Sequence, residues 1–325
     1  MSPPVVCVVI LCWNGYADTA RCIASVREQT YAPCRILVVD NGSADGSAAR
    51  LRDHAEIELV ALPHNAGYTG GNNVALEHAF AQGADYVWLL NSDAVAEPRT
   101  LATLVAVAET DRAIGLASPL LREQSGAREV GFACARVDLA VPSYQPTRDV
   151  TEAIAWHAAV PDRIVLHGTA LLIRRALWER IGGLDDSFFA YWEDVDYSIR
   201  AAQAGFRNVT AFAAAVGHDS KPAKTAPESI RPHVYYYVAR NEILLWRKHA
   251  RGLPRLKALL WNLSAQLFQL SLMPAYKDGV EAILAGLWDG WCGRGGPRGA
   301  RQMPQPLRGL LRSAPGLWVA LLRRF

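Results

Sequence analysis

A chain of 325 residues, 51% hydrophobic and 20% charged, can bury a sizeable core, which excludes a disordered protein and leaves room for one large domain or two smaller ones. The formal net charge of +3 hides an asymmetry: from Arg247 onward 13 Lys and Arg face three Asp and Glu, and everything before is net acidic. Such a basic tail faces an anionic partner, membrane lipid or nucleic acid, unless it is an ordinary solvated face.

The opening MSPPVV has no basic region followed by a long apolar run, so no signal peptide is expected. Cys7, Cys12, Cys22, Cys34, Cys134 and Cys292 form no CxxC pair, and several lie in apolar stretches where a thiol serves as a small hydrophobe, which points to a reducing, cytoplasmic compartment. Residues 5–12 (VVCVVILC) read as a parallel strand buried on both faces, ending at Trp13-Asn14-Gly15. Asp18 can cap a helix carrying Ile23 and Val26, and Arg35–Val39 starts a second strand that stops at Asp40-Asn41-Gly42-Ser43, giving a βαβ unit. A third strand is predicted over 57–62, a helix over about 71–81, and a strand over 86–90 that stops at Asn91.

Open parallel sheets bind ligands at the carboxyl ends of their strands. The polar tips Asn14, Asp40, Asn65 and Asn91 to Asp93 therefore line one predicted crevice. Pro98 opens a further helix, 114–118 a further strand, and 122–162 reads as a variable loop or hairpin. Regularity returns in a strand over 164–173, a helix through Trp178 to Ile181, a helix over 193–204 with an acidic opening, and a last strand over 206–216 before Gly217-His218.

From there the pattern changes to helices, over 234–248, 255–271 and 280–291. Leu256, Leu259, Leu260, Leu263, Leu267 and Leu270 make an apolar stripe opposite Asn262, Gln266 and Gln269. A spanning helix needs about 20 predominantly apolar residues, so this interrupted stretch reads as interfacial. The segment Leu307–Phe325, with four arginines and no acid, reads as a membrane-surface helix, or else as a helix packed on the body or a homo-oligomer seam.

Asp93, just after an apolar strand, could share a divalent cation with the diphosphate of a nucleotide, since Mg²⁺ and Mn²⁺ take oxygen ligands and few protein carboxylates when phosphates complete the shell. A polar tripeptide after a strand also makes an ordinary turn. Glu193, Asp194 and Asp196 crowd charge at a helix start among aromatic residues, which raises one carboxyl's proton affinity as a general base requires; a dipole-favoured helix opening is the plainer reading. His218 could be a neutral metal ligand or a surface histidine. Asp40 could accept from a pyrimidine N3–H with backbone near Cys12 meeting the base, or cap its own turn. Residues 65–73 offer Gly67 and other glycines for close approach to phosphate or ribose, yet lack both GxGxxG and GxxxxGK[ST], which excludes a dinucleotide site and a P-loop.

Taken in order, VVILCWNG (8–15), VVDNGSADGS (38–47), HNAGYTGGNN (64–73), WLLNSDA (88–94), HGTALLIRR (167–175), GGLDDSFFAYWEDVDYSIRAAQAGF (182–206) and VGHDS (216–220) resemble the family 2 glycosyltransferases, in particular a bacterial rhamnosyltransferase-like and galactofuranosyltransferase-like branch. The resemblance implies an α/β GT-A fold, Rossmann-like with a mostly parallel sheet, over 1–232, with about 1–120 binding the nucleotide-sugar and 121–232 the acceptor and base. Residues 233–325 would form a basic helical extension.

It further implies an inverting, Mg²⁺- or Mn²⁺-dependent transfer from a dTDP- or UDP-sugar, dTDP-rhamnose above all, to a polyprenyl-diphosphate-linked glycan at the inner face of the cytoplasmic membrane. By the same resemblance Cys12, Asn14, Asp40, Asn65, Gly67, Asn73, Asn91, Ser92 and Asp93 bind the donor, and Asp93 with His218 holds the metal. Asp194 is the base, Glu193 assists it, and Trp192, Tyr191 and His167 meet the acceptor. Asn91 stands where many relatives have Asp, which implies a looser metal site, and the absence of a QxxRW signature implies one sugar per encounter. No nucleic-acid reader motif accompanies the basic tail. A catalytically silent nucleotide-sugar-binding scaffold would leave the acid pair without a role.

Overall fold

The structure is a computed structural model that describes residues 2–123, 129–218, 230–273 and 275–313. The chain forms two compact units, one from residues 1–137, 144–185 and 193–220, the other from 138–143, 186–192 and 221–325. In chain order the elements up to His218 are β1 (Val6–Cys12), α1 (Tyr16–Arg27), β2 (Cys34–Asp40), α2 (Ser47–Leu51), β3 (Glu58–Ala61), α3 (Gly67–Ala81), β4 (Tyr86–Asn91), β5 (Ala94–Ala96), α4 (Thr100–Glu109), β6 (Ile114–Arg122), β7 (Val130–Phe132), β8 (Cys134–Asp138), β9 (Ser143–Thr147), α5 (Val150–Ala159), β10 (Ile164–Val165), β11 (Ala170–Arg174), α6 (Arg175–Ile181), α7 (Glu193–Gln203) and β12 (Arg207–His218).

The main sheet has the order β3-β2-β1-β4-β11-β6-β12-β5, with β7 added on β6. β3, β2, β1 and β4 are mutually parallel, β11 is antiparallel to both its neighbours, and β12 is parallel to β6. Strand alternation explains the apolar run of β1. Val6, Val8 and Ile10 pack with Ile23 and Val26 of α1 and Leu101 and Leu104 of α4. Cys7 and Val9 pack with Leu76 and Phe80 of α3 on the other face. Each such buried aliphatic side chain stabilises the fold by about 1.5–3 kcal/mol. The parallel register sets Cys12 beside Asp40 and Leu11 beside Asn91, so the polar tips line up along one edge.

Several sequence expectations are corrected. α1 begins at Tyr16 behind Gly15, without a side-chain cap, and Asp18 lies in its first turn, paired with Arg21. α3 starts four residues early, at Gly67. The predicted strand 164–173 is two strands, because Leu166 to Thr169 leave the ladder: β10 joins β8 and β9 in a second sheet and β11 joins β4. The stretch 122–162 contains β7, β8, β9 and the helix α5, whose N-cap Asp149 accepts from the amides of Thr151 and Glu152.

The second unit carries α8 (Pro232–His249), α9 (Gly252–Leu272), α10 (Lys277–Trp291) and α11 (Gln305–Ser313). Glycine lets α10 approach α8: a Cβ at Gly286 would stand 2.4 Å from the Tyr236 carbonyl oxygen. Of the expected α9 stripe, Leu267 and Leu270 are buried and Leu259 and Leu263 pack against the core, whereas Leu256 is exposed and Asn262 lies inside. Asn262 is buried and donates to the half-buried Glu242 at 2.6 Å, while Leu256 and Trp261 are exposed. Among the described residues no helix is long and apolar enough to cross a membrane. Most of the predicted helix 307–325 lies outside the described residues, and its described arginines, Arg308 and Arg312, are paired with Glu281.

Candidate active site

The first group of candidate residues gathers at the tips of β1 and β2. Asp40 is 2% exposed; its Oδ2 accepts from the Ser43 amide at 3.1 Å, and its Oδ1 is buried with no partner among the described residues. A buried acceptor without a protein donor has capacity left for a donor from a ligand or from water. Asn14 takes a left-handed φ of 51°, receives the Ala44 amide on its side-chain oxygen at 2.8 Å, and donates its own amide to Ser43 Oγ at 2.9 Å. Cys12 contributes backbone: its carbonyl accepts from the Asn41 amide at 2.8 Å.

Asn41, which the sequence presented only as a turn residue, organises the neighbouring loop. Its Nδ2 donates to Asn65 Oδ1 and to the Gly67 carbonyl, and its Oδ1 accepts from the Ala66 amide. Asn65 Oδ1 also accepts from the Gly67 amide at 2.8 Å, so Asn65 shapes the loop that opens α3. Gly67 has a φ of 81°, a conformation that favours glycine. Asn73 stands apart from this group, with its amide clasping both backbone groups of Leu184 at 2.8 Å.

The second group of candidate residues is built by short elements. β4 turns through half-buried Ser92 and Asp93 into β5, and β5 pairs antiparallel with the end of β12, His218 opposite Ala94. Asp93 Oδ1 thus lies 3.3 Å from His218 Nε2. Asn91 donates its amide to the Thr169 carbonyl at 2.8 Å, and its side-chain Oδ1 is buried without a partner among the described residues. Asp194, in the first turn of α7, accepts from the Gly168 amide on Oδ2 and from the Val195 amide on Oδ1, both at 2.8 Å. On the other side Tyr68 Oη donates to the Gly168 carbonyl at 2.7 Å.

Electrostatics show which acids converge. Burial pushes the Tyr68 hydroxyl well above its usual range, and the carboxylates of Glu193, Asp194 and Asp93 all add to the rise. Burial also raises the Tyr144 hydroxyl, with Asp194 next. Glu193 is 6% exposed with Oε2 unpartnered among the described residues, and burial followed by the Asp194 charge lifts its carboxyl well above the usual range. His167 is held low by burial, with Asp194 opposing and His218 reinforcing; its Nδ1 accepts from the Thr169 amide at 3.2 Å, which leaves the ring proton on Nε2. Asp196 instead faces Arg200, which also ties the carbonyls of Ile181 and Gly183. Tyr191 and Trp192 precede Glu193 in the chain and belong to the second unit.

A divalent cation is tested by the donor set. Neighbouring ligand atoms about 2.1 Å from one ion stand about 3 Å apart, and Asp93 Oδ1 and His218 Nε2 meet that separation. Among the described residues no group of three His, Cys, Asp or Glu gathers. The two therefore fit a cation whose remaining ligands are phosphate oxygens and water.

The sequence matches Glycosyl transferase family 2 over residues 7–131 and Glycosyl transferase family group 2 over residues 86–288. The chain belongs to the family 2 glycosyltransferases. This glycosyltransferase is 28% identical over 229 residues to N-acetylglucosaminyl-diphospho-decaprenol L-rhamnosyltransferase of Mycobacterium tuberculosis (strain H37Rv), an alignment that covers 65% of this chain and 75% of that one. It is 38% identical over 96 residues to Galactofuranosyltransferase GlfT1 of the same organism, covering 28% and 32% of the two chains. Among solved structures it is similar to mannosyltransferase PcManGT from Pyrobaculum calidifontis in complex with GDP-Man and Mn²⁺, with a TM-score of 0.57 at 18% identity over 100% of this chain and 88% of that one. At such identity the likeness is one of fold, and the fold is GT-A.

Proposed function

We propose that this glycosyltransferase moves one hexose per encounter from a nucleotide-sugar to a glycan hydroxyl, with inversion at the anomeric carbon and Asp194 as the general base. The observation that carries the reading is the setting of Asp194: its carboxylate is aimed by the Gly168 and Val195 amides and shares the surroundings of Tyr68 with Asp93. As the acceptor oxygen bonds to the anomeric carbon, its proton passes to Asp194 and the bond from that carbon to the diphosphate oxygen breaks. Glu193, whose carboxyl burial raises well above its usual range, positions the acceptor. Asp40 and the Asn14–Ser43 turn receive the base and ribose.

Asp93 and His218 would hold Mg²⁺ or Mn²⁺, which when bound offsets the charge of the departing diphosphate. L-rhamnose from dTDP-rhamnose is the favoured donor, supported by the longest relative alignment given above. The 38% identical stretch supports a UDP-sugar such as UDP-galactofuranose as the second reading. The acceptor is a polyprenyl-diphosphate-linked glycan of cell-surface polysaccharide synthesis, met at the inner face of the cytoplasmic membrane, where α9 rests on anionic lipid.

Asp194→Asn tests the core of this reading. General base catalysis is worth roughly 10²–10⁴-fold, so transfer should fall by that factor while calorimetric affinity for the donor stays within about twofold. Wild-type turnover in the variant overturns the assignment. A thermal-shift panel of dTDP- and UDP-sugars, with and without Mn²⁺, identifies the donor.

A further inference from the structure

The bend from Ser187 to Trp192 has a backbone that its bulky residues do not favour. Phe189, Tyr191 and Trp192 have φ of 63°, 69° and 72°, in the left-handed region where large side chains persist only if their surroundings over-determine them. Two adjacent residues of α8 hold most of the bend's carbonyls, beside the Gly296 amide, which donates to the Ser187 carbonyl at 2.7 Å, and the Tyr237 ring, which stacks on Phe189. The carbonyl oxygens of Phe188, Ala190 and Tyr191 lie 2.9, 2.7 and 2.8 Å from Asn241 Nδ2 and share its two hydrogens. Arg240 Nη2 donates to the carbonyls of Ser187 and Phe188 at 3.0 and 2.7 Å, and its Nε donates to Asn241 Oδ1 at 2.7 Å. Three carbonyls from a run of four residues can converge on one amide nitrogen only if the chain curls back, and the positive φ values supply that curl.

Both side chains are fully buried. A buried guanidinium is a poor route to stability compared with apolar packing, so its placement on this bend points to a conformational task. The chain passes from Trp192 directly into Glu193 and Asp194. Torsions fixed at Tyr191 and Trp192 therefore fix the path by which the backbone enters the acid pair, and they fix where the two aromatic side chains leave the chain.

We infer that Arg240 and Asn241 are positioning residues for glycosyl transfer, clamping the Ser187–Trp192 bend and with it the backbone path that leads into Glu193 and Asp194. The inference rests on the reading of Asp194 as base. Neither residue belongs to the donor group on β1 and β2, so the clamp acts on turnover and not on donor affinity.

The test uses the full chain with Asn241→Ala, and three readouts: transfer kinetics, calorimetric donor affinity, and amide hydrogen exchange. A misplacement of about 1 Å costs up to about 10²-fold, so kcat should fall about 10- to 100-fold with donor affinity within about twofold. Exchange should accelerate in 187–193 and stay unchanged in α10. A kcat within twofold of wild type overturns the inference, as does exchange accelerated equally in α10, which would mark a general packing role. If Asn241→Ala does not fold, Arg240→Lys, which keeps the charge and loses the forked donors, should show the same pattern, and wild-type kcat there overturns it. Asp194→Asn run alongside separates the two claims: an inactive Asp194→Asn with a fully active Asn241→Ala defeats the clamp alone, whereas an active Asp194→Asn defeats the base assignment and the clamp with it.

Discussion

Gly168 donates its backbone N–H to Asp194 Oδ2 at 2.8 Å, and a Cβ on Gly168 would stand 3.3 Å from Asp194 Cβ and 3.4 Å from Tyr68 Oη. Those distances are tight without being forbidding, so an added methyl moves the carboxylate by a few tenths of an ångström and leaves the fold intact. Gly168→Ala should therefore lower kcat about tenfold, a fraction of what a 1 Å error costs, with donor affinity and melting temperature near wild type. Steady-state kinetics beside a melting curve check this; an unchanged kcat would show that Asp194 does not need its Gly168 contact.

Glu193 makes stability depend on pH. Burial, then the Asp194 charge, raises its native carboxyl above the unfolded value of about 4.3, so the native state binds the extra proton. The stability this brings is full below the unfolded value and is lost as pH rises through the native one. Glu193→Gln is neutral at every pH and escapes that loss. Its melting temperature relative to wild type should climb from pH 5 to pH 8.5, and parallel curves across that range would refute the raised carboxyl.

The legible part of the molecule was the part written in long periodic runs. β1, β2 and β4 are continuous apolar stretches with polar stops, and their parallel register brings Cys12, Asp40 and Asn91 to one edge as the pattern required. The pairing of Asp93 with His218 depends on β5, three residues long, which no periodicity reveals. Gly168 was hidden for a related reason: an apolar run reads as one strand even where four of its residues leave the ladder to reach Asp194 and Tyr68. Asn262 departs from the pattern because a polar residue normally faces water, and its hydrogen bond to the half-buried Glu242 accounts for the inward turn. The roles of Asn41 and Asn241 rest on contacts tens or scores of residues distant, beyond the reach of local pattern.

His218 is predicted to govern metal affinity. Its Nε2 lies 3.3 Å from Asp93 Oδ1, and among the described residues no group of three His, Cys, Asp or Glu gathers to make up for its loss. His218→Ala should raise the Mn²⁺ or Mg²⁺ concentration for half-maximal transfer by about 10-fold or more, at least what loss of an outer-shell partner costs. Titration of the chelator-treated enzyme measures it, and a superimposable titration would remove His218 from the shell.

The outward face of α9 carries the membrane prediction. Leu253, Leu256, Trp261, Phe268 and Leu272 are all exposed, and on a period of 3.6 residues Trp261, Phe268 and Leu272 share one side of the helix, with Leu253 and Leu256 exposed at its first turns. No acid lies in α9, and Arg251, Arg255 and Lys257 stand at its start, so the face combines apolar area with positive charge, as an interfacial helix does. Withdrawing a large apolar side chain from contact forfeits about 1.5–3 kcal/mol, so Trp261→Ser and Phe268→Ser should each weaken binding to phosphatidylglycerol-containing vesicles about tenfold or more. Binding should also fall with added salt, which screens the cationic end. Undiminished sedimentation of the double variant with vesicles refutes the prediction, and a dimer that dissociates in that variant would assign the face to a second copy of the chain.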